Sequence, residues 1–163
     1  MLIGIMSDSH DNLTSIDAAV AAFSKRKIDL LLHCGDFIAP FAVKPLRNTG
    51  AGDIRAVFGN NDGEVNGLTN TFASIDGTVQ NKPYRFQINE TGIMMMHEPY
   101  FIADGIDDPG INLVTYGHTH KLSIKKKRGT LVINPGETCG YLTGKRTIVI
   151  LDTSTMNTEI LEI

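Results

Sequence analysis

Leu2-Ile3-Gly4-Ile5-Met6 runs directly into Ser7-Asp8-Ser9-His10-Asp11-Asn12. The first five residues form an apolar run of strand length, rich in isoleucine. The next six are polar and set a carboxylate and an imidazole two residues apart. Asn12 is a good helix N-cap. Leu13, Ile16, Ala19, Val20 and Phe23 then recur at helical spacing, to about Lys27. The unit is a buried strand, a loop with chemistry on it, and an amphipathic helix.

The unit recurs. Ile28 to Leu32 is a second apolar run and ends at His33-Cys34-Gly35-Asp36. Phe37 to about Asn48 contains two prolines and is expected to form a short, irregular helix. Ile54 to Phe58 is a third run, ending at Gly59-Asn60-Asn61-Asp62-Gly63; Gly63 to Gly77 is expected to form a poor helix. This alternation predicts parallel strands with helices on the sheet faces. The second half changes pattern. Tyr84–Ile88 and Ile93–Met96 flank Asn89-Glu90-Thr91-Gly92 as a hairpin. Leu113–Tyr116 stops at Gly117-His118-Thr119-His120. Lys121–Lys127 and Thr130–Ile133 turn at Arg128-Gly129, and Thr147–Leu151 and Thr158–Leu161 form a last pair. No repeat, low-complexity stretch or linker interrupts the chain, so one α/β (α+β) domain over residues 1–163 is expected.

A chain of 163 residues with 42% hydrophobic content can bury one sizeable core. A formal net charge of −3 offers no global basic footprint for nucleic acid. No apolar run approaches the ~18 residues of a membrane span. The N-terminal run lacks the basic flank of a signal peptide. Cys34 and Cys139 are far apart and form no C-x-x-C pair. The expected setting is therefore the cytoplasm, with both thiols free.

The chemistry-bearing residues gather at one kind of place, the C-terminal end of an apolar run. Asp8 and His10 follow the first, Asp36 the second, Asn60 the third, His97 a later one, and His118 and His120 the last. In open α/β sheets those ends form the binding crevice. Were the chain extended at His118-Thr119-His120, both imidazoles would face the same way. Seven N/O donors exceed what one ion with an open position can use. They suit two ions about 3.5–4 Å apart sharing a carboxylate. An imidazole and carboxylate set without thiolate favours divalent transition metals: Mn first, with Ni, Co, Fe and Zn also compatible. Hydrolysis of a phosphate ester is the reaction such a pair serves best.

Asp8-Ser9-His10, Gly35-Asp36, Gly59-Asn60, His97 and Gly117-His118-Thr119-His120 resemble, in order and spacing, the motif series of the calcineurin-like metallophosphoesterases. Chain length, the Asn61-Asp62 pair and Ile133-Asn134-Pro135-Gly136 are most similar to the small YfcE-like phosphodiesterases, archaeal members included. The resemblance implies a four-layer αββα sandwich of two mixed β-sheets. It implies that Asp8, His10 and His120 hold one metal, that Asn60, His97 and His118 hold the other, and that Asp36 bridges them. A hydroxide bridging the metals would attack a small phosphodiester. Many relatives carry a histidine where Asn61 stands; an amide can bind a phosphate oxygen but cannot act as a general acid. Pro99 likewise stands where relatives with a further histidine after His97 place it. Asp36 and Asn61 are thus the candidate catalytic residues, and Asn12, Asn61 and Arg146 the candidate substrate contacts. His33 is read as structural, Glu98 as a neighbour of His97 or a solvated carboxylate, and Lys125-Lys126-Lys127-Arg128 as a solvated hairpin tip. Two rival functions remain: a nuclease of the same superfamily, and a non-catalytic Vps29-like interaction scaffold, whose mark would be lost donors. A homo-oligomer is compatible with the sequence.

Overall fold

The computed structural model describes all residues, 1–163. Strands β1 (Leu2–Met6), β2 (Leu30–His33), β3 (Asp53–Val57) and β4 (Gly77–Gln80) run parallel to their neighbours. The last two strands, β10 (Thr147–Asp152) and β11 (Asn157–Glu162), add on antiparallel beside β1, giving the order β11-β10-β1-β2-β3-β4. The second sheet contains β5 (Tyr84–Ile88), β6 (Thr91–Met95), β7 (Leu113–Thr115), β8 (Ser123–Lys127) and β9 (Thr130–Asn134) in the order β5-β6-β7-β9-β8. Its centre, β6-β7-β9, is parallel, and the hairpin partners β5 and β8 form antiparallel edges. Both sheets are mixed, as the change of pattern along the chain implies.

Side-chain alternation divides the core. Ile3, Ile5, Leu30 and Leu32 face Met95, Leu113 and Ile133 between the sheets. Met6, Leu31, Ile54 and Ile148 face the other way, against α1 (Leu13–Arg26) and α2 (Val65–Ser74). Met94 and Val114 pack beneath α3 (Ile102–Asp107), so Met94, Met95 and Met96 serve as core. The layers are helix, sheet, sheet, helix.

Three local expectations need amendment. The Phe37–Asn48 segment forms two 3-10 turns, Pro40–Ala42 and Lys44–Thr49, because each proline starts a turn that the next interrupts. Strand β4 was not foreseen: of its four residues only Val79 is buried, so it carries no alternation signal. Nor was α3, which has one buried residue, Gly105; a methyl group there would press on Val114 Cγ2 at 2.6 Å, so glycine lets the helix approach the sheet.

Candidate metal centre

The loops after β1, β2, β3, β6, β7 and β9 leave the sheets at one end. Asp8, His10, Asp36, His118 and His120 all have positive φ, between 41° and 64°. This conformation is uncommon outside glycine and clusters at functional sites. The two late histidines are therefore not extended, and they diverge: His118 Nδ1 lies 2.8 Å from Asn60 Oδ1, while His120 Nε2 lies 3.5 Å from Asp8 Oδ1. Glycines make room for the carboxylates. A methyl group at Gly59 would collide with Asp36 Oδ1, and one at Gly117 with Ser7 Oγ and Asp8.

The seven donors come together. His10 Nε2 is 3.5 Å from Asp36 Oδ2, and His97 Nε2 is 3.3 Å from the same oxygen and 3.0 Å from Asn60 Oδ1. Asp36 thus stands between His10 on one side and His97, with Asn60 and His118, on the other; His120 lies against Asp8, and Asp8 itself falls within 4.8 Å of both Asp36 and His97. His97 Nδ1 donates to Cys34 O at 2.8 Å, and His120 Nδ1 faces Glu137 Oε2 at 2.7 Å. With Nδ1 carrying the proton, a neutral imidazole turns its Nε2 lone pair towards a carboxylate or amide oxygen. A cation must then lie between the two acceptors: a metal ion, or in its absence the proton that makes His97 a donor to Asp36. Donors bound to one ion at about 2.1 Å stand roughly 3.0–3.4 Å apart at angles of about 90–110°; the His97–Asp36 and His97–Asn60 separations fall in that range, and His10–Asp36 lies just outside it. His10 Nε2 is buried without a hydrogen-bond partner, as a nitrogen reserved for a metal would be. The residues fit divalent metal ions.

Charge follows geometry. Burial raises the Asp8 carboxyl above its ordinary range, despite attraction from His97 and His120. Burial also opposes ionisation of Asp36, but hydrogen bonds from His97 and Asn61 outweigh it and hold the carboxyl well below the usual range. Burial would depress the His97 imidazole, yet the Asp36 carboxylate beside it pushes it up.

The side chains of Asn12 and Asn61, two of the candidate substrate contacts, are engaged within the protein. Asn12 caps α1: its Oδ1 accepts from Ser15 N and its Nδ2 donates to Cys139 O at 2.9 Å, which occupies both ends of the amide. Asn61 donates through Nδ2 to Asp36 Oδ2 at 2.8 Å and through its backbone N–H to Asp36 Oδ1 at 2.9 Å. In this structure it orients the central carboxylate. The Arg146 stem packs over Gly140, and its carbonyl accepts from Ile163 N–H. Glu98 pairs with Lys82. Lys125–Arg128 form an exposed tip where Arg128 meets Asp107.

Two residues have roles that the sequence reading did not assign. Asp62 is buried and accepts four backbone N–H groups: Asp36 (2.9 Å) and Gly59 (2.7 Å) on Oδ2, Phe37 (2.7 Å) and Ile38 (2.8 Å) on Oδ1. It ties the β2 and β3 loops together. Glu137, fully buried, backs His120. Hydrogen bonds from Thr143 and His120 outweigh the opposing effect of burial and hold its carboxyl at about 2. Cys139 also lies against His10 and His120. Burial, with Glu137 beside it, pushes that thiol up to about 12, so it donates to Glu137 Oε2 at 3.3 Å as a neutral group.

His33 is structural. Its Nδ1 accepts from Gly35 N–H and its Nε2 donates to Ser9 Oγ, both within the buried loop base. Burial lowers its pKa to about 3 from 6.5. The unfolded imidazole takes a proton below 6.5 and the folded one only near 3, so stability is full above 6.5 and falls as pH drops. His97, with its raised pKa, contributes in the opposite direction. The readout is therefore a difference: in the metal-free protein His33→Gln should lose about 2 kcal/mol less than the parent between pH 7.5 and 5. Denaturant unfolding at the two pH values measures it, and parallel losses would refute it.

A two-sheet sandwich with carboxylate, imidazole and amide donors gathered at its strand ends defines a metal-dependent hydrolase fold and site. Residues 1–156 match the calcineurin-like phosphoesterase superfamily domain. A phosphodiesterase of Methanocaldococcus jannaschii is 38% identical over 156 residues, covering 94% of this chain and 93% of that protein. The solved structure of an archaeal phosphodiesterase superposes with a TM-score of 0.93 at 36% identity over the whole of both chains. The Escherichia coli phosphoesterase YfcE shares the fold at 16% identity, with a TM-score of 0.69 over 100% of both chains. The chain belongs to the calcineurin-like phosphoesterase superfamily.

Proposed function

We propose that this protein is a phosphodiesterase with a dinuclear metal centre, built as one domain over residues 1–163. The observation that carries the reading is the convergence of six donors about a seventh, Asp36, with imidazole nitrogens turned to carboxylate and amide oxygens. Asp8, His10 and His120 would hold one ion, Asn60, His97 and His118 the other, with Asp36 shared and Mn the first choice. When bound, such a pair supplies Lewis acidity that turns a shared water into a hydroxide nucleophile and neutralises phosphate charge. The chain's own part is to fix those donors on strained, hydrogen-bonded loops and to orient the shared carboxylate through Asn61.

A chain of net charge −3 suits a small diester better than a nucleic acid backbone. All seven donors are retained, which favours an enzyme over an interaction scaffold. A cytoplasmic setting accords with two buried free thiols.

Asn61 supplies no proton to the leaving oxygen. Diesters that release an acidic phenol should therefore turn over at least about 100-fold faster than those that release an alcohol. A screen of phosphomonoesters and phosphodiesters against Mn, Ni, Co, Zn and Mg tests the function. Within the diesters, kcat at saturation plotted against leaving-group pKa tests the missing acid, and a flat plot would sink that part. Hydrolysis of oligonucleotides but of no small diester would favour the nuclease.

A further inference from the structure

Glu137 lies outside the donor set, yet no carboxylate in the fold is more fully occupied. It is 0% exposed, in the loop between β9 and β10. Its Oε2 lies 2.7 Å from His120 Nδ1 and accepts from the Cys139 thiol at 3.3 Å. Its Oε1 accepts from Thr143 N–H at 2.5 Å and from the Thr143 hydroxyl at 2.7 Å. Leu142 N–H is 3.1 Å from both oxygens. A carboxylate so surrounded by donors cannot turn away from His120. It accepts only, so His120 Nδ1 must carry the proton. The Nε2 lone pair is then left facing Asp8 Oδ1.

We propose that Glu137 is a positioning residue for the metal centre. It locks His120 in the Nδ1–H tautomer, aims Nε2 at the ion shared with Asp8 and His10, and ties that ligand to the loop that carries Tyr141 and Leu142. The role rests on the metal-centre reading above. The two halves of the centre then differ in kind. His97 is backed by a neutral carbonyl, Cys34 O, whereas His120 is backed by a full negative charge. An anion behind an imidazole raises its basicity as a ligand, and such partners are worth roughly 10–100-fold in metal affinity. Glu137→Gln removes the charge and also turns an amide N–H₂ towards one of the surrounding donors.

The first measurement needs no variant. Long-range ¹H–¹⁵N spectra of the metal-free protein should show His120 protonated at Nδ1; protonation at Nε2 would overturn the proposal. The second is calorimetric titration with Mn²⁺. In Glu137→Gln one of two binding steps should weaken roughly 10–100-fold while the other stays within about 3-fold. Thr143→Val, which removes one donor to Glu137 and leaves His120 untouched, should change neither step by more than about 3-fold. Equal affinities in Glu137→Gln and the parent would overturn the role, and so would equal weakening of both steps in a variant that melts like the parent. If Glu137→Gln does not fold, the parent's tautomer decides. A parent that binds no metal while showing the Nδ1–H tautomer would instead overturn the metal-centre reading, with this role falling as its consequence.

Discussion

Asp36→Asn is expected to lower kcat/KM for diester hydrolysis roughly 1,000-fold, about 4 kcal/mol of transition-state stabilisation. Asp36 Oδ2 stands 3.5 Å from His10 Nε2 and 3.3 Å from His97 Nε2, so it is the one group common to both halves of the centre. The substitution keeps the shape and removes the charge. The new amide would either turn N–H₂ towards imidazole lone pairs that must face a metal, or turn it into the Asn61 donors that now bond the carboxylate. Metal content should fall with activity. The metal-free variant should melt below the parent, because hydrogen bonds to the buried Asp36 carboxylate outweigh the cost of its burial, so activity and metal content are compared at a temperature where both proteins are folded. Steady-state kinetics, metal analysis after reconstitution and a thermal melt are sufficient. Activity within about 10-fold of the parent would show that Asp36 is not shared between two ions.

Asp62→Ala should act through stability. Four backbone N–H groups from two loops converge on this one buried carboxylate. Two of them belong to Asp36, at φ 60°, and Ile38, at φ 83°, a conformation that costs a β-branched residue more than most. Removing the acceptor leaves buried donors unpaired and releases the strain that the clamp sustains. The expected loss is about 3–4 kcal/mol, or roughly 10 °C in melting temperature for a chain of this size. Asp62→Asn should fall between, since an amide oxygen can accept two of the four bonds but its N–H₂ repels the others. Metal affinity should drop as well, because the loop that carries Asp36 loses its anchor. A melting temperature within about 2 °C of the parent would rule out the clamp.

The legibility of the chain varies by element. β1 and β2 were plain because each is a nearly continuous apolar run between polar loops, which is how a buried parallel strand reads, and β3 was legible from Ile54, Ala56 and Val57 although Arg55 interrupts it. The β5–β6 and β8–β9 hairpins were plain from their turn residues. α1 was plain from its apolar stripe and its Asn12 cap. β4 and α3 carry too few buried side chains to leave a period. The seven residues that gather at the site were legible for a simple reason: each follows an apolar run, and residue types able to bind a metal are few in kind. Asp62 and Glu137 were not. A carboxylate that bonds backbone N–H groups leaves no pattern in sequence, since its partners contribute no side chain. Glu137 and Asp62 lie in glycine-containing loops where an acidic residue reads as ordinary turn chemistry.

The sequence by itself determined the alternation of layers, the end of the sheets where chemistry collects, and the types of donor available there. Periodicity and composition are local properties, and these features follow from them. Only the tertiary structure decided the direction of each imidazole. His118 and His120, two residues apart, part towards Asn60 and Asp8 because both adopt positive φ rather than an extended conformation. It also decided that Asn12 and Asn61 spend their amides on Ser15, Cys139 and Asp36, and that Glu137 stands behind His120. Each of these depends on contacts between residues far apart in the chain, such as Glu137 with His120 or Asn61 with Asp36, and such contacts exist only once the two sheets have packed.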